Sequence, residues 1–260
     1  MDFLYLNIYK YKMIIAGCSR NISQFWNNTE KSLQIIFDSL PDYKCFIIES
    51  NSQDNTLELL KNWASKDSRR IVVSLGWLTE PSRTRRIATC RNKYMELAEP
   101  YFSEFSEMLM LDLDDSLGIE DNFKKQLDTC FERTDWDALG SNRKGKYYDI
   151  WALRSKVLGI TYDCWEMALG NPERILTSNG FRNIDLKQKY VYSHQKVYPE
   201  TMPWILVESA FGGLAIYKTA SIKSKRYDGS KTCEHVSFNE GLKMWINPRL
   251  ISGEECLQHI

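Results

Sequence analysis

The residues best equipped for chemistry stand in one short stretch, Glu107 to Leu117, which reads EMLMLDLDDSL. Met108 to Leu111 form an unbroken apolar run that leads straight into Asp112, Asp114 and Asp115. Such a run suits a strand buried on both faces, as in a parallel sheet covered by helices. The acids then emerge at the strand's C-terminal end, where open α/β sheets bind their ligands. Several carboxylates crowded into a part-buried place cost free energy unless a cation compensates them. That cation is either a divalent metal ion, which takes oxygen ligands from Asp and bridges to phosphate oxygens, or neighbouring Arg and Lys. Capping the next helix is the structural alternative, but a cap needs only one such residue.

Three further groups could join these acids. Glu49 ends a second apolar run, KCFIIE, with Asn51 and Asp54 close behind. Acids at this place in a second βα unit can accept hydrogen bonds from a ribose or a base, whereas Ser50, Ser52 or Asp54 could equally cap a helix. A basic set follows at Arg83, Arg85, Arg86 and Arg91. Five residues separate Arg86 from Arg91, which puts them about 140° apart around a helix axis. They cannot share one solvent-facing stripe, so one turns toward the acids or toward a diphosphate, which Arg binds with paired donors. The last group is Asp149, Glu208 and Glu234, each a possible general base, with His235 beside Glu234. A histidine there can serve as a ligand or merely satisfy backbone groups.

The elements that must position these residues alternate regularly through the first half. Strands are predicted at Lys12–Gly17, Lys44–Glu49 and Arg70–Leu75, with the acid-tipped run as the fourth. Between them lie helices marked by Leu33, Ile36, Phe37 and Leu40, then by Leu57, Leu60 and Ala64, and finally Ser82–Ala98 with Ile87, Tyr94, Leu97 and Ala98 inward. That order predicts an α/β fold with a mostly parallel sheet, right-handed crossovers and flanking helices. The second half is less regular. A helix from about Glu120 to Arg133, a strand at Ala138–Asn142 and another in KYYDIWALR are expected, then a polar loop or flap over 171–196. Ser209–Tyr217 reads as a strand opened by Gly212 and Gly213, either for close approach to a ligand or as a bulge. A short helix in CEHVSFN and a last strand ending near Pro248 close the chain. The polar loop Tyr227–Thr232 has the length and flexibility to reach across the sheet edge and deliver Glu234.

Composition narrows the partners. The 260 residues carry 34 Lys and Arg against 34 Asp and Glu, so no net field points to nucleic acid or an acidic membrane. This length holds one large domain, taken here as 1–260, with a nucleotide-binding half at about 12–117 and an acceptor-binding, catalytic half at about 118–260. Eight Trp and fourteen Tyr supply flat faces for core packing or for stacking on sugars. Seven cysteines without CxxC spacing imply reduced thiols. MDFLYLNIYKYK lacks a cleavage site, and no uncharged apolar run is long enough to cross a bilayer. A soluble, cytoplasmic protein is expected.

Taken together, ESNSQDNT, RRIATCRN, the DLD of Asp112 to Asp114, YYDIWALR, FGGLAIYK and CEHVSFN resemble a glycosyltransferase of the GT-A fold. The likeness is to metal-dependent transferases of capsule and surface glycans in bacteria and large DNA viruses, and it covers most of the chain. It implies a single Rossmann-like domain that takes a nucleotide sugar as donor and a glycan or glycoconjugate hydroxyl as acceptor. In such enzymes the DxD acids hold Mn2+ or Mg2+ on the donor diphosphate, a role that falls here to Asp112 and Asp114. The acid beyond the second strand touches the nucleoside, which points to Glu49 or Asp54, with Asn51, Arg86 and Arg91 beside it. Glu234 or Asp149 would be the catalytic base, and His235 a further metal ligand. Asp115, and the absence of a Gly before Thr56, depart from the usual pattern. Two other readings compete. LMLDLDDSL also resembles the first motif of haloacid-dehalogenase-type phosphatases, with Asp112 as nucleophile and Asp114 as acid/base, although that motif normally opens its domain. A catalytically silent carbohydrate-binding protein could keep the same fold.

Overall fold

The computed structural model describes residues 11–114, 117–177 and 180–254. Asp115 and nearly all of the N-terminal aromatic segment lie outside those residues. The first half runs β1 (Lys12–Ser19), α1 (Trp26–Asp38), β2 (Asp42–Glu49), α2 (Thr56–Ala64), β3 (Arg70–Ser74), α3 (Arg83–Ala98) and β4 (Glu107–Asp112). The second half adds α4 (Phe123–Cys130), β5 (Ala138–Asn142), α5 (Cys164–Ala168), β6 (Arg174–Thr177), β7 (Gly180–Asn183), α6 (Leu186–Tyr190), β8 (Ile205–Val207), β9 (Leu214–Lys218), α7 (Thr219–Ile222), α8 (Glu234–Asn239) and β10 (Met244–Ile251).

Eight strands form one sheet in the order β3-β2-β1-β4-β9-β5-β10-β8. The first four are mutually parallel, with Cys18 of β1 opposite both Ile48 of β2 and Asp112 of β4. β9 runs antiparallel between β4 and β5, and β10 returns parallel to β5. Both faces are buried, which is why β1, β2 and β4 read as nearly continuous apolar runs. One face packs Ile14, Phe46, Met108 and Met110 against Tyr94, Met95 and Ala98 of α3. The other packs Met13, Ile15, Ile47 and Leu109 against Leu33 and Ile36 of α1.

Several expectations need correction. KYYDIWALR is not a strand but a series of turns, because Asp149 and Tyr148 accept hydrogen bonds from Ala152 and Ile150 within the segment itself. The helix predicted from Glu120 is shorter, at Phe123–Cys130. The last strand runs past Pro248 to Ile251, and its register against β5 shifts between Ile246 and Ile251. Such an irregularity is where a strand tolerates proline. On α3 the fully buried face is Ala88, Cys90, Arg91, Tyr94, Met95 and Ala98, while Ile87 and Leu97 are only half-buried. Segment 171–196 contains the two-stranded pair β6–β7 and helix α6.

Candidate active site

Two adjoining cavities open at the C-terminal edge of the parallel strands, of about 340 Å3 and about 200 Å3. Arg83, Ile87, Arg91, Asp112 and Asp114 line both. The larger also receives Asp149, Glu234, His235, Trp151 and Trp165. The smaller lies against Ser19, Arg20, Ser50 and Arg86. Residues far apart in sequence thus meet at one edge, because β1 and β4 end side by side and β9 begins beside them.

Arg91 is the hub of the larger cavity. Its buried guanidinium donates to Asp112 Oδ1 at 3.0 Å, to Glu234 Oε1 at 3.2 Å and to the Tyr94 hydroxyl at 3.2 Å. It also lies over the rings of Phe211 and Tyr227. A buried cation is tolerable only with such partners, and here the two carboxylates come from distant elements, β4 and α8, while Tyr94 stands one turn along α3 itself.

Asp112 keeps 30% of its side chain exposed at the cavity wall. Burial nonetheless raises its carboxyl to about 7; Arg91 opposes that rise, and the charges of Asp114, Asp149 and Glu234 add to it. Asp149 is also pushed upward, first by burial and then by Glu234, against backbone hydrogen bonds that favour its charged form. Those bonds come from Gly212 N at 3.0 Å and Ala152 N at 3.3 Å. Gly212 has φ +74, and a Cβ there would meet Ser141 O at 2.7 Å. Only glycine fits that turn. Next to it, Gly213 O accepts the Asp112 backbone N–H at 3.0 Å. The glycine pair therefore sets the backbone that holds both carboxylates.

His235 is buried, stacked on Phe211 with centroids 3.9 Å apart, and Tyr227 meets its ring edge-on. Neither ring nitrogen has a hydrogen-bond partner, and Nε2 lies 3.9 Å from Glu234 Oε1. Burial and the nearby Arg91 push its pKa well below the usual value, so the ring is neutral. A neutral, unpartnered imidazole on a cavity wall can serve as a ligand.

The β2 edge is built differently. Glu49 is buried, and its Oε1 and Oε2 accept from Ser52 N at 2.6 Å and Ser74 Oγ at 2.5 Å. Asp54 accepts from Ser23 N, Ser23 Oγ and Thr56 N, which ties the start of α2 to the turn after β1. Burial alone would raise the Asp54 pKa, but these donors bring it down to about 2. Asn51 adopts φ 49, and its side chain accepts from Gln53. Arg86 donates to Glu80 O at 2.9 Å and lines the smaller cavity. Glu208 lies apart from both cavities, where it accepts from Lys156 N at 3.0 Å.

The loop Tyr227–Thr232 does not reach freely across the sheet edge. Asn92 of α3 exchanges two hydrogen bonds with the Tyr227 backbone, and Thr84 donates to Gly229 O at 2.7 Å. Sequence reasoning also missed Trp151 and Trp165 on the cavity wall, as well as the buried, unpartnered hydroxyl of Ser19. The abundance of Trp was the only signal for the first two. Nothing local marks Ser19 apart from its place at the end of β1.

This sheet order with its carboxylates at the switch of strand direction is a GT-A architecture. Among solved structures, the chain is similar to Staphylococcus aureus TarS (residues 1–349) at 14% identity, with 90% of this chain and 57% of that one covered and a TM-score of 0.51. It is also similar to the mannosyltransferase PcManGT of Pyrobaculum calidifontis, in complex with GDP-Man and Mn2+, at 11% identity over 95% and 57% with a TM-score of 0.53. A TarS complex with UDP-GlcNAc matches at 15% identity over 95% and 60% with a TM-score of 0.50. The chain thus spans less than two thirds of the length of these proteins, and the likeness establishes the fold. No protein-family model and no curated protein matches the sequence. No helix among the described residues is long and apolar enough to cross a membrane.

Proposed function

We propose that the chain is a divalent-cation-dependent glycosyltransferase, which moves a sugar from a nucleoside diphosphate sugar to a hydroxyl of a glycan or glycoconjugate. The observation that carries this reading is the meeting of two cavities at Asp112 and Asp114. One cavity suits a nucleoside; the other, with Trp151, Trp165 and Asp149, suits the sugar and its acceptor. The structural neighbours agree in kind, since their complexes hold UDP-GlcNAc and GDP-Man.

The donor set fits the cation. Two carboxylates at one wall, Asp112 and Asp114, offer oxygen ligands suited to Mn2+ or Mg2+, and His235 does not complete a three-ligand group with them. No group of three or more His, Cys, Asp or Glu among the described residues forms a ready-made cage. Ions of this kind are commonly held by one or two carboxylates plus substrate phosphates. When bound, the cation would stabilise the departing diphosphate as a Lewis acid. Arg91 fixes Asp112 and Glu234 relative to each other rather than reaching the diphosphate itself. Asp149, with its carboxyl made more basic by burial, takes the proton of the acceptor hydroxyl if the anomeric centre inverts. The Arg91 ion pair makes Glu234 the second choice for that role. Arg86 faces the nucleoside from the wall of the smaller cavity, which Asn51 does not line, and Glu49 and Asp54 act through the loop they hold.

The test is incubation with UDP-, GDP- and CDP-sugars and Mn2+, followed by chromatography of the released nucleoside diphosphate. Slow release without an acceptor, abolished by chelator, is expected. Hydrolysis of a simple phosphomonoester instead would transfer the assignment to a phosphatase, and neither reaction would leave a carbohydrate-binding protein.

A further inference from the structure

The smaller cavity carries information about which nucleotide it takes. Its floor is the end of β1, where the Ser19 hydroxyl is buried and has no hydrogen-bond partner. Ile22, Ile87 and Leu113 give it apolar sides that suit the faces of a flat ring. Leu113 reaches there because β1 carries Gly17, where a Cβ would lie 2.7 Å from the leucine side chain. Its other charged lining is cationic: Arg83 and Arg91 are shared with the larger cavity, while Arg20 and Arg86 line this one and not the larger. Neither arginine has an ion-pair partner among the described residues, and Arg86 spends one donor on Glu80 O. Burial, together with repulsion from Arg20 and Arg83, lowers the Arg86 pKa, as expected of a cation awaiting a partner.

We propose, building on the glycosyltransferase reading, that this cavity seats a nucleobase and is built for uracil, so that the donor is a uridine diphosphate sugar. Uracil presents two carbonyl acceptors and a single N–H. Arginines donate and never accept, so they match the carbonyls, and a serine hydroxyl can accept from the one N–H. Guanine brings an N–H and an amino group on its pairing edge, and cytosine an amino group. Both would need additional acceptors. The carboxylate at the end of β2, Glu49, does not line this cavity and instead accepts from Ser52 and Ser74. Asp112 and Asp114 lie where the two cavities join, on the side of the diphosphate. A purine or cytosine would therefore bury donors opposite arginines, and leaving polar groups unpaired is what a hydrogen-bonding site discriminates against.

Calorimetric titration of the whole chain with UDP, CDP and GDP in MnCl2 tests this. UDP should bind about tenfold or more tighter than CDP, its match in size, and tighter than GDP. Equal or tighter binding of CDP or GDP would overturn the uracil assignment and leave the glycosyltransferase reading standing. Failure of all three to bind would overturn both. Arg86→Gln should weaken UDP by about tenfold to a hundredfold while changing CDP and GDP little. A uniform loss across the three would place the arginine on the diphosphate and count against the proposal. Ser19→Ala is the control for folding, since it removes an unsatisfied hydroxyl. It should hold or raise the apo melting temperature yet lower UDP affinity severalfold. A fall in apo stability with UDP affinity unchanged would make the hydroxyl structural and contradict the proposal.

Discussion

The acids at the ends of β2 and β4 resemble each other in sequence but differ in what surrounds them. Glu49 and Asp54 are met by donors from their own neighbourhood: serine and threonine backbone N–H groups and serine hydroxyls. Asp112 and Asp149 have donors too, Arg91 for the first and the Gly212 and Ala152 N–H groups for the second, but burial and the charges of other carboxylates outweigh them and push each toward holding a proton. The first pair stabilises a loop. The second stores unfavourable electrostatics that a cation or a substrate proton would relieve. A carboxylate at a strand end is thus a candidate for chemistry only when its own chain leaves it under-compensated.

The sharpest way to break this contrast is at the cavity junction. Asp114→Asn should lower the transfer rate by about a thousandfold or more, the scale of losing metal-assisted charge stabilisation. Asp112→Asn should do the same, and its apo stability relative to wild type should improve as pH rises from about 4 to 8, from a baseline lowered by leaving the buried Arg91 with Glu234 as its one carboxylate partner among the described residues. The sign follows from the folded carboxyl near 7 lying above an unfolded value of about 3.9. Ionisation therefore costs stability progressively from about pH 4 to 7, and Asn removes that cost. Activity assays paired with thermal melts read both outcomes.

Asp149→Asn should reduce kcat by about a hundredfold or more, with donor affinity kept, as befits a general base. Steady-state kinetics with the donor varied would show it, and near-normal turnover would shift the base role to Glu234. At the β2 edge the effect should move from rate to stability. Glu49→Ala leaves the Ser52 N–H and Ser74 hydroxyl without their acceptor and should cost about 1–3 kcal/mol in urea unfolding. The smallest effect belongs to Asp54. With its folded pKa depressed to about 2, it contributes stability above its unfolded value of about 3.9. That contribution is lost as pH falls from about 4 toward 2, and Asp54→Asn should flatten the acid limb of the stability profile by that amount.

Much of the first half was legible because its strands and helices announce themselves locally. The apolar runs of β1, β2 and β4 follow from burial on both faces, and Asp112 falls at the end of β4. What escaped depends on residues far away in sequence. That one of Arg86 and Arg91 turns toward the acids was legible, but not that it is Arg91, buried between Asp112 and Glu234. KYYDIWALR alternates like a strand, yet Asp149 bonds to the backbone of Ala152 and Gly212 and turns the chain. Gly212 and Gly213 were visible as a pair, but their use as the backbone clamp on Asp149 and Asp112 follows only from β9 lying beside β4.

The contrast between the two edges is tested most directly by electron paramagnetic resonance of Mn2+ titrated into the protein with UDP present. Free Mn2+ gives a strong signal that falls on binding, so the measurement needs neither acceptor nor turnover. Wild type and Asp54→Asn should retain nucleotide-dependent Mn2+ binding, whereas Asp112→Asn and Asp114→Asn should lose it while remaining folded. Undiminished Mn2+ binding by folded Asp112→Asn and Asp114→Asn proteins would contradict the assignment of this cleft as the cation and diphosphate site.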